Sequence, residues 1–262
     1  MTTCFDVYAK CVEAIESGEL IESVSTQDKE FHFQNWFIHR LNSLNLDFDE
    51  PGRNTYPDFR LVKFPEGYEL KGLATPGRDK TYDSNSQIPT GIHHGRTIYY
   101  VFGRYPKDRT TKEFPIIDFV ICHGDFLNVT YDYVHENKSV KGFGSYGDIM
   151  IRDRKMYVVP TPFVLTTGTV GNKTLIVPEH YPTDARFVRV GELTRVESDQ
   201  LVVGYSFDLN TNVISANQVA NRNAGKKHIF YAYRLRTQAG KSVEMASKSA
   251  DEVMAEVDQT AD

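Results

Sequence analysis

The stretch Tyr56-Pro57-Asp58-Phe59-Arg60-Leu61-Val62-Lys63-Phe64-Pro65-Glu66-Gly67-Tyr68-Glu69-Leu70-Lys71 decides how this chain is read. Asp58 to Val62 and Tyr68 to Lys71 have the apolar alternation of strands, and Phe64-Pro65-Glu66-Gly67 between them is a turn. A short hairpin of this kind converts a gap of ten intervening residues into side-by-side placement of Asp58 and Glu69. Residues i and i+2 of a strand share a face, so Glu69 and Lys71 point one way while Leu70 points into the core.

Those residue types suit phosphodiester hydrolysis. That reaction needs a cation to neutralise charge, an activated water and a group that positions the water; divalent metals held by carboxylates supply the first two. Asp58 and Glu69 are placed to share Mg²⁺, with the Leu70 carbonyl completing the shell, and Lys71 is placed to hold the attacking water or to stabilise phosphorane charge.

Tyr56-Pro57-Asp58, ten residues, then Glu69-Leu70-Lys71 resembles the signature of the PD-(D/E)XK nucleases, best known from type II restriction endonucleases. The resemblance covers about residues 26–122. It implies a helix before Asp58, a hairpin carrying the motif and further core strands. It also implies Mg²⁺ as cofactor, in a one-metal or two-metal site where Mn²⁺ can substitute, and double-stranded DNA as partner. A homodimer follows as a further implication, since a palindromic site mirrors two-fold symmetry. Some members of the family bring an acidic residue from the preceding helix to a metal; Glu30 is that candidate here, and Asp83 is a second assisting carboxylate.

Working outward, Phe5, Tyr8, Val12 and Ile15 have helical spacing with Gly18 as a stop. Ser25 or Thr26 is a cap for a second helix carrying Phe33, Trp36, Phe37, Leu41 and Leu44 on one face. Gly72 to Gly95 reads as a long polar loop. Thr97 to Phe102 and Phe114 to Cys122 read as central strands. Shorter strands are expected at Met156 to Val159, Leu175 to Val177, Phe187 to Val190, Leu201 to Phe207 and His228 to Leu235, and a terminal helix or tail at Ser242 to Val257. The expected fold is one α/β domain of 262 residues, a central mixed β-sheet flanked by helices, with a catalytic core at about 26–122, a β-rich DNA-gripping extension at about 123–240 and an acidic tail at 241–262.

The formal net charge of −5 disfavours a nucleic-acid partner until its distribution is considered. Lys241 to Asp262 holds six acids and two lysines, whereas Asn217 to Lys241 holds six basic residues and no acid. Two segments therefore read as DNA contacts: the loop with Arg78, Lys80, Asn85 and Gln87, whose side-chain types read base edges, and the later stretch with Asn221, Arg222, Lys226 and Lys227.

Other chemistries find less support. His93-His94 and His123 lack zinc-ligand spacing, Gly91-Ile92 with Tyr99-Tyr100-Val101 lacks the spacing of a GIY-YIG nuclease, and no phosphate loop or nucleophile elbow occurs. Asp118 in its apolar run reads as a paired structural aspartate. Cys4, Cys11 and Cys122 form no CxxC pair and read as reduced thiols. No membrane span or signal peptide is visible at the N-terminus, so a cytoplasmic location is expected. The expected activity is sequence-specific cleavage of double-stranded DNA. A repair or mobile-element nuclease of the same fold is the alternative within the class, and a non-catalytic β-rich DNA- or protein-binding module is the alternative outside it.

Overall fold

A computed structural model of the chain describes residues 2–23, 30–49, 56–75, 82–85, 89–106, 111–129, 155–158, 173–197, 199–208, 210–211 and 213–238. In chain order the elements are α1 (Cys4–Glu16), β1 (Ile21–Glu22), α2 (Glu30–Ser43), β2 (Phe48–Asp49), β3 (Phe59–Leu61), β4 (Glu66–Thr75), β5 (Tyr82–Asn85), β6 (Ile92–His93), β7 (Arg96–Pro106), β8 (Glu113–Phe114), β9 (Asp118–His123), α3 (Gly124–Leu127), β10 (Lys155–Val158), β11 (Lys173–Pro178), β12 (Phe187–Val196), β13 (Gln200–Asp208), β14 (Val213–Ala220) and β15 (Lys227–Leu235).

The main sheet has nine strands in the order β12-β15-β11-β9-β7-β4-β3-β2, with β6 pairing on β7. It is mixed: β4 runs parallel to β7 and β9 parallel to β11, while β3 with β4, β7 with β9, and β15 with both β11 and β12 are antiparallel. Strands β11, β12 and β15 from the second half of the chain therefore extend the same sheet that carries the hairpin, whereas β10 pairs with β5 and β13 with β14 in separate two-stranded ribbons, the latter inserted between β12 and β15.

Alternation along the strands divides the core in two. Tyr68, Leu70, Tyr99, Val101, Phe119 and Ile121 face α1 and α2 in one cluster. Tyr100, Phe102, Val120, Cys122, Ile176, Ala232 and Phe230 face the other way and pack with Phe126 of α3. Among the described residues, α1 and α2 lie on one face of the sheet and the four-residue α3 on the other.

Helix α1 buries Cys4, Phe5, Tyr8, Cys11 and Val12, and the chain leaves it through Gly18 at φ +80°, a conformation without steric penalty only for glycine. Helix α2 buries Phe33, Trp36, Phe37 and Leu41, the stripe its spacing foretells. Each such ring removes on the order of 1.5–3 kcal/mol worth of apolar surface from water. Phe33 lies directly over Gly103 of β7, where an added Cβ would come within 2.5 Å of the ring, so a glycine is what lets α2 approach the sheet.

The expected loop from Gly72 to Gly95 is partly strand: β4 continues to Thr75, β5 pairs with β10, and β6 turns back on β7. The run Phe114 to Cys122 is split, because Pro115 cannot donate to a ladder, into β8 and β9. The expected capping residues Ser25 and Thr26 and the tail at Ser242 to Val257 lie outside the described residues.

Candidate active site

The β3–β4 ladder pairs Phe59 with Tyr68 and Arg60 with Gly67. Continuing that register sets Asp58 opposite Glu69 and Pro57 opposite Leu70. Proline has no N–H, so the ladder cannot close on Leu70. The Leu70 N–H bonds to a side chain, donating to Asp58 Oδ2 at 2.7 Å. The N–H and C=O of one strand residue point to the same edge, which leaves the Leu70 carbonyl beside the Asp58 carboxylate. The Tyr56–Pro57 peptide is cis, and Gly67 accommodates the proline ring, since a Cβ there would lie 2.5 Å from Pro57 Cγ.

Glu69 is tied to the same cluster. Its Oε2 accepts from the Asp58 backbone N–H at 3.2 Å, and its Oε1 accepts from Lys71 Nζ at 2.6 Å. The two side chains are only 12% and 9% exposed, so the ion pair is largely desolvated, and removing one partner leaves a buried charge. Gln34 of α2 donates from Nε2 to Asp58 Oδ1 at 3.3 Å, a contact with no counterpart in the sequence reading. Helical spacing alone could have found it: Gln34 follows Phe33 and flanks the buried stripe. On the neighbouring strand Tyr100 stands in register with Glu69, and its hydroxyl is 2.8 Å from that of Tyr56. Burial, with the Glu69 charge nearby, pushes both phenols well above their ordinary range, so they act as neutral donors beside the carboxylate.

The candidate donor set is two carboxylates and a backbone carbonyl. Hard, oxygen-preferring cations such as Mg²⁺ fit such a set, and zinc does not. Among the described residues no three His, Cys, Asp or Glu side chains cluster as metal ligands, so a bound cation would complete its shell with the Leu70 carbonyl and water.

Of the remaining candidates, Glu30 begins α2, but its side chain is not among the described ones. Arg78, Lys80 and Gln87 lie outside the described residues; Asp83 and Asn85 sit on β5, paired with Tyr157 and Lys155 of β10, without described side chains. Asn221 differs from its expected role. It is buried, its Nδ2 donates to Glu197 Oε2 at 3.1 Å and its Oδ1 accepts from Asn223 N–H at 2.9 Å, so these bonds shape the turn. Arg222, Lys226 and Lys227 are exposed on that turn. Asp118 is paired with Arg104 at 3.5 Å, and His123 caps α3 by accepting from Asp125 N–H at 3.1 Å. The three cysteines are buried and free.

Comparison of the chain with protein-family models, with curated proteins and with solved structures finds no match. No helix of the described residues is long and apolar enough to cross a membrane.

Proposed function

We propose that this protein is a Mg²⁺-dependent endonuclease acting on double-stranded DNA, with the sequence specificity of a type II restriction enzyme. The observation that supports the reading is the cluster of Asp58, Glu69, Lys71 and the Leu70 N–H, joined by bonds of 2.6–3.2 Å. Asp58, Glu69 and the Leu70 carbonyl would hold the cation, which when bound supplies charge neutralisation and a more acidic water. Lys71, held by Glu69 beside the scissile position, orients the nucleophile and offsets charge that develops on the phosphoryl oxygens. Gln34 fixes the Asp58 carboxylate. A homodimer, carried by the resemblance, belongs to the same proposal, as does the cytoplasmic location expected from the sequence.

The test is incubation of the protein with unmethylated phage DNA, in Mg²⁺ or EDTA, beside Asp58→Asn and Lys71→Met variants whose melting temperatures are checked first. Discrete fragments that require metal, Asp58 and Lys71 are the expected result, with rates in the variants reduced by 10² or more. A metal-dependent smear would replace the restriction reading with that of a repair or mobile-element nuclease. Intact DNA throughout would favour the second reading, a non-catalytic binding module. That reading has its own support: Lys71 pairs with Glu69 and Asp58 bonds to Leu70 N–H, bonds that a purely structural cluster would also make.

A further inference from the structure

A second polar site lies on the same sheet face as Lys71, at the other end of the sheet. It is a cleft of about 250 Å³ lined by Phe126, Asn128, Arg195, Glu197, Asn221 and His228 among others. Its position follows from register. Glu69 and Lys71 pair with Tyr100 and Phe102, which belong to the core cluster on the α3 side. Leu193 and Phe230 belong to that cluster too and are partners across β12 and β15. Two residues further along each strand the face is unchanged, which places Arg195 and His228 there, again directly opposite each other.

The groups in the cleft differ in what they have left to offer. Glu197 uses Oε1 on His228 Nε2 at 2.6 Å and Oε2 on Asn221 Nδ2 at 3.1 Å, so its charge is turned into the protein and fixes the imidazole ring, whose Nδ1 makes neither of these contacts. Asp125 lies against His123 at 3.6 Å. Asn128 donates to the Pro89 carbonyl. Arg195 stacks over the Phe126 ring at 5.3 Å, and among the described residues no carboxylate pairs with it. The lip of the cleft is the turn that carries the exposed Arg222, Lys226 and Lys227, in a segment without an acid from Asn217 to Lys241.

We infer that this cleft is a phosphate-binding subsite for the nucleic-acid backbone, with Arg195 and His228 as its contacts and Glu197 as the residue that positions His228. The inference rests on the nucleic-acid partner proposed above and supplies the place where the duplex is held away from the cut. An arginine held over an aromatic ring has its donors restrained for phosphate oxygens, and the His228 ring, with Nε2–H on Glu197, adds a second direction of approach through Nδ1–H as the imidazolium. Four strand spacings of about 4.8 Å separate β4 from β15, roughly 20 Å across the face. His228 also stands four to six residues along β15 from the level of Glu69 and Lys71, about 13–20 Å, so the separation is about 25 Å; phosphates of one strand advance about 3.4 Å per base pair, and the contact falls about seven base pairs from the scissile phosphate.

The experiment is binding of a labelled duplex of about 20 base pairs in EDTA, across a NaCl series, by the wild-type protein and by Arg195→Gln and His228→Gln variants. Arg195→Gln should weaken binding several-fold at low salt and reduce the slope of log K against log[salt] by about one. His228→Gln carries the test if Arg195→Gln melts at a lower temperature, and should weaken binding without loss of fold. A folded Arg195→Gln with the parent's affinity and slope overturns the subsite, as does a wild-type protein that binds no duplex. A mononucleotide whose binding needs Arg195 while the duplex slope is unchanged overturns the backbone assignment. The two proposals separate cleanly: Arg195-dependent binding without Mg²⁺-dependent cutting ends the nuclease reading alone, and cutting with an unchanged slope ends the cleft alone.

Discussion

The candidate site depends on a contact between two residues that carry no chemistry. Gly67 is where β4 passes the Pro57 ring, and a Cβ there would sit 2.5 Å from Pro57 Cγ and 3.2 Å from the Phe59 carbonyl oxygen. A ring and a backbone oxygen cannot move aside as the end of a flexible side chain can. Gly67→Ala should therefore cost about 1–3 kcal/mol of stability, as overpacking does. It should also displace Asp58, the residue after Pro57, so that the proposed Mg²⁺-dependent cleavage falls by more than the folded fraction explains. Urea denaturation and cleavage assays at a temperature where the variant is folded would measure both; unchanged values for both would show that the hairpin tolerates the methyl group. Asp58, Glu69, Leu70 and Lys71 were legible because a short hairpin makes sequence distance a guide to spatial distance. Arg195 and His228 were not, because 32 residues and a whole ribbon separate two positions that the sheet sets opposite each other.

Among elements, α1 shows how the chain fastens a helix to the hairpin from a distance. Thr3, before its first turn, donates its N–H to both oxygens of Glu66 at 3.1 Å, and its hydroxyl bonds to Glu66 as well and lies 2.8 Å from Tyr68 OH. Glu66 is 5% exposed, and its carboxylate meets the positive end of the helix where unpaired N–H groups need an acceptor. Glu66→Ala should cost about 2–3 kcal/mol by leaving buried donors without a partner, and Glu66→Gln, which keeps one acceptor, clearly less. Chemical denaturation would rank the two, and hydrogen exchange should show the lost protection concentrated in the first turn of α1; equal losses would remove the cap from the account. Sequence pattern found both long helices and most sheet strands, since their apolar stripes and β-branched runs are local signals. It missed β14, Val213–Ala220, because Ser215, Asn217 and Gln218 give that strand the composition of a loop. It missed two-residue strands such as β1 and β8, which exist only through each other.

At the scale of the whole molecule, the order of strands could not be read from the sequence, because nothing in β11, β12 or β15 states that they join the sheet begun by the hairpin. Their attachment runs through β9, whose last residue, His123, couples the stability of the sheet to pH. The ring is buried against Tyr99 and Tyr181, with Asp125 and His180 the other titratable groups facing it. Burial holds its pKa down to about 4, against the opposing attraction of Asp125, while in the unfolded chain it returns to about 6.5. Above pH 6.5 the group is neutral in both states and stability does not depend on it. As the pH falls from 6.5 to 4 the unfolded chain takes up a proton that the folded chain refuses, so stability is lost through that window, by at most about 3 kcal/mol. His123→Asn keeps an acceptor at the cap of α3 and removes the titration. Urea midpoints measured at intervals from pH 7.5 to 4 should fall more steeply for the parent than for this variant, the gap opening below pH 6.5. Parallel curves would mean that the imidazole finds water or a partner when it is charged, and that the acid sensitivity of the sheet arises elsewhere.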